Sequence, residues 1–311
     1  MSHFSVLVAV PRDCDPFSNY NTLYRLLAPF NEQGDPHDEF MEFDDREAEF
    51  LDEYENGSTI RIAMPDGRLL LPWDDEFCKD DDMKGLFTGY SHEVPEQLEQ
   101  RDVPHKQVYP TLEEYVARWH SQSARPYGYW SNPQARWDWW VVGGRWTGSL
   151  PLKEGFTKDQ QTIGDGHHGT CSEPNDDPRS CDYAPSKAID WQALITLQAQ
   201  RAGDKWEGHQ EYKRLLAAGQ DEEAKQLAYE KGLWRDKALE EDPTRDAYVL
   251  AKSHEAVTFA FVTAEGEWNE RGSMGWWAIV TDEHPEYDEV FWQWVEQLDD
   301  DQMVVVVDCH I

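Results

Sequence analysis

Two uninterrupted apolar runs at opposite ends of the chain constrain its fold more than any other feature. The first, HFSVLVAV, spans residues 3–10 and is followed by Pro11. The second, MVVVVDCHI, spans residues 303–311 and has no polar alternation until Asp308. A continuous apolar run bounded in this way is typical of a buried strand. The sequence therefore predicts a central sheet in which these two strands are antiparallel neighbours.

The segments between these strands carry both helical and strand patterns. Asp66-Gly67 separates two β-rich runs, as in a hairpin, and Thr111 lies three residues before Glu114, the spacing of a capping box. The patterns predict a helix at 21–30, a hairpin from STIRIAM and RLLLPW, a helix from 111, helices over 189–239 with interruptions near Gly203 and Gly219, strands at 256–263 and 275–281, and a helix at 287–298 packed on the sheet.

This order of elements predicts an α+β protein. Our preferred topology is an antiparallel ferredoxin-like sandwich core with large helical and acidic insertions. The division we expect is an N-terminal α+β part at 1–151 with acidic insertions at about 31–57 and 74–82, a loop or insertion at 152–186, a helical excursion at 187–253, and C-terminal strands and helix at 254–311 that complete the sheet. Antiparallel pairing of the terminal strands would bring His3 close to Asp308, Cys309 and His310.

Acidic residues dominate the charge of the chain. Asp and Glu number 62 against 28 Lys and Arg, for a formal net charge of −34 at pH 7. Such a field repels nucleic-acid phosphates and anionic lipid and attracts basic surfaces. Direct nucleic-acid binding is therefore not expected. The acidity has two interpretations, which are solubility and imitation of a nucleic acid toward a basic protein.

The segment from Glu32 to Glu55 concentrates this charge, with twelve acidic residues and one basic residue, Arg46. An apolar stripe at near-helical spacing (Phe43, Phe50, Leu51 and Tyr54) predicts an ordered acidic helix. A second acidic cluster follows the hairpin at 74–82. The candidate partner-binding residues are Asp44, Asp45, Glu47, Asp52, Glu53, Asp80, Asp81 and Asp82.

The stretch WDWWVVGGRWTG, residues 137–148, holds four tryptophans, a Gly-Gly pair and one arginine. It predicts a strand at 137–142 with Gly143-Gly144 as the turn. Because successive side chains of a strand point to opposite faces, Trp139 and Trp140 cannot both face the core. One interpretation is core packing alone, with Arg145 ion-paired. The other is a ligand cleft formed by Trp139, Trp140, Arg145, Trp146, Trp276 and Trp277.

Histidines and cysteines supply further candidates. His3, Asp308 and His310 could form an acid–base or metal site, and His167, His168, Cys171 and Cys181 are a weak match to zinc-ligand spacing. The GGRWTG stretch lacks the spacing of a phosphate-binding glycine loop, and the GxSxG elbow and the HExxH motif are absent from the sequence. Five cysteines without a CxxC pair favour reduced thiols. We expect no cofactor.

Several blocks together, HFSVLV, YGYWSNPQARWDWWVVGGRWTG, ERGSMGWWAIV and VVVDCHI, resemble a family of uncharacterised phage-encoded proteins. The blocks cover about a fifth of the chain. Some relatives in that family are described as ferredoxin-like, and the resemblance implies a phage origin without naming a function. The acidic segment and the 152–186 loop fall outside it.

Two hypotheses of different classes follow. The favoured one is a non-enzymatic, phage-encoded counter-defence protein whose acidic surface binds and inhibits a basic host protein, such as a defence nuclease or DNA-binding complex. The alternative is a nucleotide or small-molecule binding protein, a sponge or hydrolase, that uses the Trp/Arg cleft and the His-Asp-His cluster. No apolar run reaches the roughly 20 residues of a membrane span. We expect a cytoplasmic protein, in the host cell if phage-encoded, and self-association into a homo-oligomer stays open.

Overall fold

A computed structural model gives the fold. The structure describes residues 2–11, 21–80, 84, 91–158, 160, 162–166, 175–275 and 279–311. These residues form a mixed α+β protein with antiparallel and mixed sheets. They divide into two compact units, one of residues 1–34 with 134–311 and the other of residues 35–133.

The helices and strands have the following bounds. The helices are α1 (Asn21–Leu27), α2 (Glu47–Asn56), α3 (His105–Val108), α4 (Leu112–Trp119), α5 (Trp191–Ala217), α6 (Asp221–Lys231), α7 (Arg245–Ser253) and α8 (Tyr287–Gln297). The strands are β1 (His3–Val10), β2 (Glu42–Asp45), β3 (Ser58–Ala63), β4 (Leu69–Leu70), β5 (Glu99–Pro104), β6 (Gly128–Ser131), β7 (Trp139–Val142), β8 (Leu150–Pro151), β9 (Ser180–Cys181), β10 (Tyr183–Pro185), β11 (Ala260–Val262), β12 (Trp268–Glu270), β13 (Ser273–Met274), β14 (Val280–Thr281) and β15 (Met303–His310).

The first unit is built on a six-stranded sheet in the order β10-β15-β1-β11-β12, with β7 also paired to β15. The prediction that the two ends of the chain pair is confirmed. Strands β1 and β15 are antiparallel in a register that places His3 opposite His310 and Val10 opposite Met303. Strands β7 and β10 both pair with β15, in registers that take different halves of it.

The ferredoxin-like core is not confirmed. In that arrangement every neighbour in the sheet is antiparallel, whereas β1 pairs with β11 in parallel. Parallel neighbours require a crossover connection rather than a hairpin, and the long segment between β1 and β11 provides it. The coarser prediction of an α+β protein stands.

Helices cover both faces of this sheet. Phe4, Val6 and Val8 of β1 belong to a buried cluster with α1. Leu7 belongs to a second buried cluster that contains Phe291 of α8. The predicted packing of the 287–298 helix on the sheet is thereby confirmed. Sequence periodicity succeeded here because each helix presents one apolar stripe to a fully apolar strand.

A group of three helices follows β10 in the same unit. Helix α5 packs against α6 and α7 around a small cluster that includes Ala202, Leu239 and Tyr248. The predicted interruption at Gly203 is wrong, since α5 continues through it, whereas Gly219 does lie between α5 and α6. A Cβ at Gly203 would lie 2.7 Å from Nη2 of Arg245, the end of a flexible side chain that can move aside, so the position does not require glycine.

The unit of residues 35–133 was not separated in the sequence analysis. It contains a three-stranded sheet in the order β4-β3-β5 and the two-stranded ribbon β2-β6. The predicted hairpin is confirmed by the pairing of Ile62 with Leu70. The predicted cap is also confirmed, because the Thr111 side chain accepts a hydrogen bond from the Glu114 backbone N–H.

The acidic segment folds differently from the single helix we predicted. Residues 42–45 form strand β2, and only the part from Glu47 onward is helical. Phe50 is buried, but Leu51 is exposed and Phe43 lies on the strand. The apolar stripe therefore does not run along one helix face, because the chain changes from strand to helix within it.

Candidate functional site

The Gly-Gly pair of the tryptophan-rich stretch ends β7 and begins a tight turn. Gly143 and Gly144 have φ values of +75° and +56°, in the region that L-residues rarely adopt. A short 3₁₀ turn over Gly144–Trp146 then places Arg145 and Trp146 side by side after the strand. The glycines therefore serve to turn the chain sharply and present these two side chains.

Two buried carboxylates hold this turn in place. Asp308 Oδ2 accepts the backbone N–H of Arg145 at 2.9 Å, and Asp182 Oδ1 accepts that of Gly148 at 2.6 Å. A Cβ on Gly144 would lie 2.4 Å from Asp308 Oδ2, and one on Gly143 would lie 2.1 Å from Asp182 Oδ2. Only glycine permits the backbone to approach these carboxylates so closely.

The carboxyl of Asp182 is fully buried. Burial raises its pKa, although backbone N–H donors from Gly148 and Gly166 act in the opposite direction. The nearby Asp165 adds a further raising effect. Desolvation favours the neutral form of a carboxyl, and the donated hydrogen bonds favour the charged form. The turn is thus anchored on the buried Asp182 carboxyl, and the donated hydrogen bonds offset part of the cost of burying it.

Arg145 and Trp146 line a cavity of about 560 Å³, which we call the Trp–Arg pocket. Helix α5 forms the facing wall with Leu194, Leu197 and Arg201. Leu7, Leu150, Val257 and Val306 supply further apolar surface, and the remaining lining comes from Thr147, Gly148, Ser149, Pro151, Ala193, Gln198 and Thr258. The pocket thus combines an apolar wall, an indole and two guanidinium groups.

A second cavity of about 540 Å³, the lysine–arginine pocket, lies along the other part of α5. Five cationic side chains line it: Arg201, Lys205, Lys237, Lys252 and Arg271. Its acidic residues are Asp236, Glu255 and Glu283. In a chain with more than twice as many acidic as basic residues, this local excess of positive charge is unusual.

Asp236 organises part of this second pocket. Its Oδ2 accepts hydrogen bonds from the Tyr248 hydroxyl at 2.5 Å and the Lys205 ammonium at 3.0 Å. Burial alone would raise the pKa of Asp236, but these hydrogen bonds outweigh it and hold the pKa below its ordinary value. Asp236 is therefore a buried anion that orients the Lys205 ammonium group. Its Oδ1 also lies 3.5 Å from Lys252 Nζ.

The two pockets share Gln198 and Arg201, so they form one continuous lining along α5. Among the residues that the structure describes, no carboxylate lies within ion-pair distance of Arg145, Arg201 or Lys237. Arginine and lysine side chains normally find carboxylate partners easily in so acidic a chain. Three unneutralised cations at one site therefore create a place where an anion is favoured.

The terminal histidines come together as the sequence predicted. His3 Nδ1 lies 2.8 Å from Asp308 Oδ1, and His310 Nδ1 lies 2.6 Å from Asp138 Oδ1. The two imidazole centroids are 4.9 Å apart, and the Trp139 indole stacks on His310. Carboxylate-oriented imidazoles are suited to proton transfer. His310 is only 6% exposed, and the cluster joins the first residue of β1 to the last residue of β15.

The six predicted cleft residues do not form one cleft. Arg145 and Trp146 share the Trp–Arg pocket. Trp139, which is 42% exposed, stacks on His310, and Trp140 packs against the buried cluster under α1. This separation follows from strand alternation, which sends neighbouring indoles to opposite faces. Trp276 and Trp277 lie outside the described residues.

The weak zinc candidates receive little support. His167, His168 and Cys171 lie outside the described residues. Cys181 is buried in β9, and burial raises the pKa of its thiol to about 12, whereas a zinc ligand must be a thiolate. No group of three or more metal-ligating side chains occurs in the part of the chain that was described.

The acidic candidates lie in the unit of residues 35–133. Asp44, Asp45, Asp52 and Asp80 are exposed. Glu47 is ion-paired with Arg125 at 3.1 Å, and Glu53 accepts a hydrogen bond from the Tyr115 hydroxyl at 3.0 Å. Asp81 and Asp82 lie outside the described residues. The exposed carboxylates form the surface that a basic partner would meet.

Sequence reasoning missed the cations of the second pocket. Arg201, Lys205 and Gln198 lie three to four residues apart on α5, so they share one helix face. That stripe of positive charge on an acidic chain was a usable signal. Lys237, Lys252 and Arg271 come from separate elements, and only the tertiary fold brings them together.

Comparison with known proteins found no relative of this chain. No protein-family model matches the chain, and no curated protein or solved structure is significantly similar to it. Within the described residues, no helix is both long and apolar enough to cross a bilayer.

Proposed function

We propose that the protein binds a small, multiply charged anion, of the phosphorylated class, in the joined Trp–Arg and lysine–arginine pockets. The observation that carries the proposal is the set of unneutralised cations, Arg145, Arg201 and Lys237, along one continuous lining. A phosphate group offers several acceptor oxygens and suits the fork of donors on a guanidinium. This corresponds to the small-molecule alternative of the sequence analysis.

The overall charge of the chain favours a small ligand over a nucleic acid. At −34, the protein repels a long polyanion over its whole length. A compact anion is too short to meet the repulsion of the whole surface, and it can contact Arg145, Arg201 and Lys237 directly. The same chain can therefore hold a small phosphorylated molecule and reject DNA or RNA.

The lysine–arginine pocket is built to remain charged without a ligand. Asp236 and Glu255 offset Lys205 and Lys252, and Arg271 contacts Asp288 at 3.1 Å. Among the described residues, neither Arg201 nor Lys237 forms an ion pair, and the third carboxylate of the lining, Glu283, forms none either. These two residues are thus the ones whose charge a ligand would neutralise.

Isothermal titration calorimetry with tripolyphosphate tests the proposal. Because a charge-assisted hydrogen bond contributes about 1.5–3 kcal/mol, Arg201→Ala should weaken binding about tenfold to a hundredfold. Arg214→Ala is the matched control, since Arg214 lies on the same helix, is exposed and pairs with Glu211. Absence of binding at millimolar tripolyphosphate, or an equal effect of the two variants, would contradict the proposal.

A second candidate function is the one that the sequence favoured, inhibition of a basic host protein through the acidic surface. The observation that supports it is the exposure of Asp44, Asp45 and Asp52 on ordered elements, β2 and α2. Asp45 also accepts the Glu47 backbone N–H at 2.9 Å at the start of α2. Carboxylates on ordered elements avoid the entropy cost that a disordered acidic tail incurs on binding.

Neutralisation of these three carboxylates tests the second candidate. The triple variant Asp44→Asn, Asp45→Asn, Asp52→Asn should fold normally, since asparagine caps helices as well as aspartate does. It should lose a host protein that the parent retains at low salt. A control variant neutralises Asp221, Glu222 and Glu223 on α6, which are equally exposed. If both variants retain the same host proteins at every salt concentration, the acidity of β2 and α2 serves only solubility.

A further inference from the structure

The two joined pockets differ in chemistry, and this difference specifies the ligand further. Apolar side chains and the Trp146 indole dominate the lining of the Trp–Arg pocket, whereas lysines and arginines dominate the other. A ligand that fills both must carry an apolar, planar part at one end and its negative charge at the other. A simple inorganic anion would pair with the cations and leave the apolar surface of the Trp–Arg pocket uncovered.

We infer that the ligand is a nucleotide whose base lies against Trp146 and whose phosphates lie among Arg201, Lys205 and Lys237. This inference rests on the anion-binding function proposed above. Each cavity has a volume within the range of about 300–1,000 Å³ that is common for small-molecule sites. Their shared lining at Gln198 and Arg201 gives one molecule access to both.

Trp146 is well placed to stack with a base. Its side chain packs against the buried cluster that contains Leu150 and Val306, and the residue also lines the pocket. The 3₁₀ turn anchored by Asp308 and Asp182 fixes its backbone. A rigid aromatic ring of this kind loses little freedom when a base stacks on it, and stacking tolerates any base because each has a π face.

Gln198 stands where the sugar of such a nucleotide would lie, since it lines both pockets. Its Nε2 donates to the Glu255 carbonyl at 2.9 Å, which fixes the orientation of the side-chain amide. Its Oε1 is buried and has no hydrogen-bond partner in the described part of the chain. An acceptor in this position matches a ribose hydroxyl, which donates. From the Trp–Arg pocket to the lysine–arginine pocket, the lining thus offers an aromatic ring, an acceptor for a hydroxyl and then cations. A nucleotide presents its base, sugar and phosphates in the same order.

The test compares ligands that contain different parts of a nucleotide. Calorimetric titrations use each of ATP, GTP, CTP and UTP, together with tripolyphosphate, the four nucleosides and the 2′,3′-dideoxy form of the tightest triphosphate. We expect at least one nucleoside triphosphate to bind about tenfold more tightly than tripolyphosphate because of base stacking. The dideoxy form should bind several-fold more weakly than its parent.

Variants locate the base. Trp146→Ala should reduce the affinity for the nucleotide to that for tripolyphosphate and leave tripolyphosphate binding unchanged. Trp234→Ala is the control, because Trp234 is exposed and belongs to neither pocket. The comparison among ligands on the parent protein needs no variant, so it decides the question even if Trp146→Ala fails to fold.

The outcomes separate this inference from the proposed function. Equal affinity for tripolyphosphate and all four triphosphates overturns the nucleotide assignment and leaves anion binding standing. Failure of every phosphorylated ligand overturns both. Nucleosides that bind as tightly as their triphosphates show that the cations do not hold phosphate, which also overturns both.

Discussion

Replacement of Gly144 by alanine probes the turn that carries Arg145 and Trp146. Gly144 has a φ of +56°, and a Cβ there would lie 2.4 Å from Asp308 Oδ2 and 2.5 Å from Asp308 Cβ. Asp308 cannot move aside easily, because it is buried and bonded to both His3 and the Arg145 backbone. The substitution must therefore displace either the turn or the carboxylate.

The expected cost has two parts. Alanine in the left-handed region costs about 1–2 kcal/mol. Displacement of the turn also breaks the hydrogen bond from the Arg145 backbone N–H to Asp308. The buried carboxyl group then has one donor fewer, which costs about 1–3 kcal/mol more. We therefore expect Gly144→Ala to lower the free energy of unfolding by about 2–5 kcal/mol.

Comparison with Gly232→Ala separates the cost of the Asp308 contact from the cost of the left-handed backbone. Gly232 has a φ of +59°, close to that of Gly144, but no atom lies within 4 Å of a Cβ built there. Urea unfolding monitored by circular dichroism should show a small loss for Gly232→Ala and a clearly larger one for Gly144→Ala, which should also bind tripolyphosphate more weakly. Equal losses in the two variants would refute the argument that the Asp308 contact requires glycine.

Three further predictions concern buried groups. Trp137→Ala should lower the free energy of unfolding by about 3–5 kcal/mol, because the indole is 3% exposed in the core. Trp139, at 42% exposure, should lose clearly less on replacement by alanine in the same urea titration. Equal losses would contradict the assignment of Trp137 to the core. The fold lowers the pKa of Asp236, so the stability that its carboxylate contributes is present above the unfolded pKa of about 3.9 and is lost as the pH falls below it. The melting temperature of Asp236→Asn should therefore decrease less between pH 6 and pH 3 than that of the parent protein. Burial raises the pKa of the Cys309 thiol, so a thiol reagent at pH 8 followed by peptide mass spectrometry should label the partly exposed Cys78 and leave Cys309 unmodified in the native protein.

Local and strongly periodic features of the fold were predictable from the sequence. The Asp66-Gly67 turn and the Thr111 cap depend on a few neighbouring residues, so their signals are complete within a short window. The terminal strands were also predictable, because a fully apolar strand of eight residues is stable only inside a sheet. Their mutual pairing followed from the ferredoxin-like topology that we preferred, in which the first and last strands are antiparallel neighbours.

Other features depend on tertiary packing that no short window contains. The parallel pairing of β1 with β11 joins segments about 250 residues apart, and an apolar pattern does not specify which neighbour a buried strand takes. The separate unit of residues 35–133 begins beside the acidic segment that starts at Glu32, which we interpreted as an insertion, and no change of composition marks its end. Residues 42–45 formed a strand within a segment we assigned to a helix, because pairing with β6 outweighed the local pattern.

The candidate site was predictable only in part. Arg145 and Trp146 were chosen correctly as neighbours, since the motif itself contains both. The cations opposite them were missed: Arg201 lies on a helix-face stripe that was a usable signal, whereas only the tertiary fold brings Lys237 and Lys252 to the pocket. The net charge of the whole chain also concealed them, since a sum over 311 residues does not report a local excess of the opposite sign.

The pairing of β1 with β15 affects how the protein is made. Both strands that flank β1 in the sheet lie far downstream, and the His3–Asp308 contact spans 305 residues. At a synthesis rate of about 5–20 residues per second, β1 leaves the ribosome roughly 15–60 s before β15 is complete. For most of that interval β1, a mainly apolar segment of eight residues, has no strand to pair with, because β11 is also made late. Such segments aggregate readily. Folding yield in the cell should therefore depend on a chaperone that shields the emerging amino-terminal end until the final strand arrives.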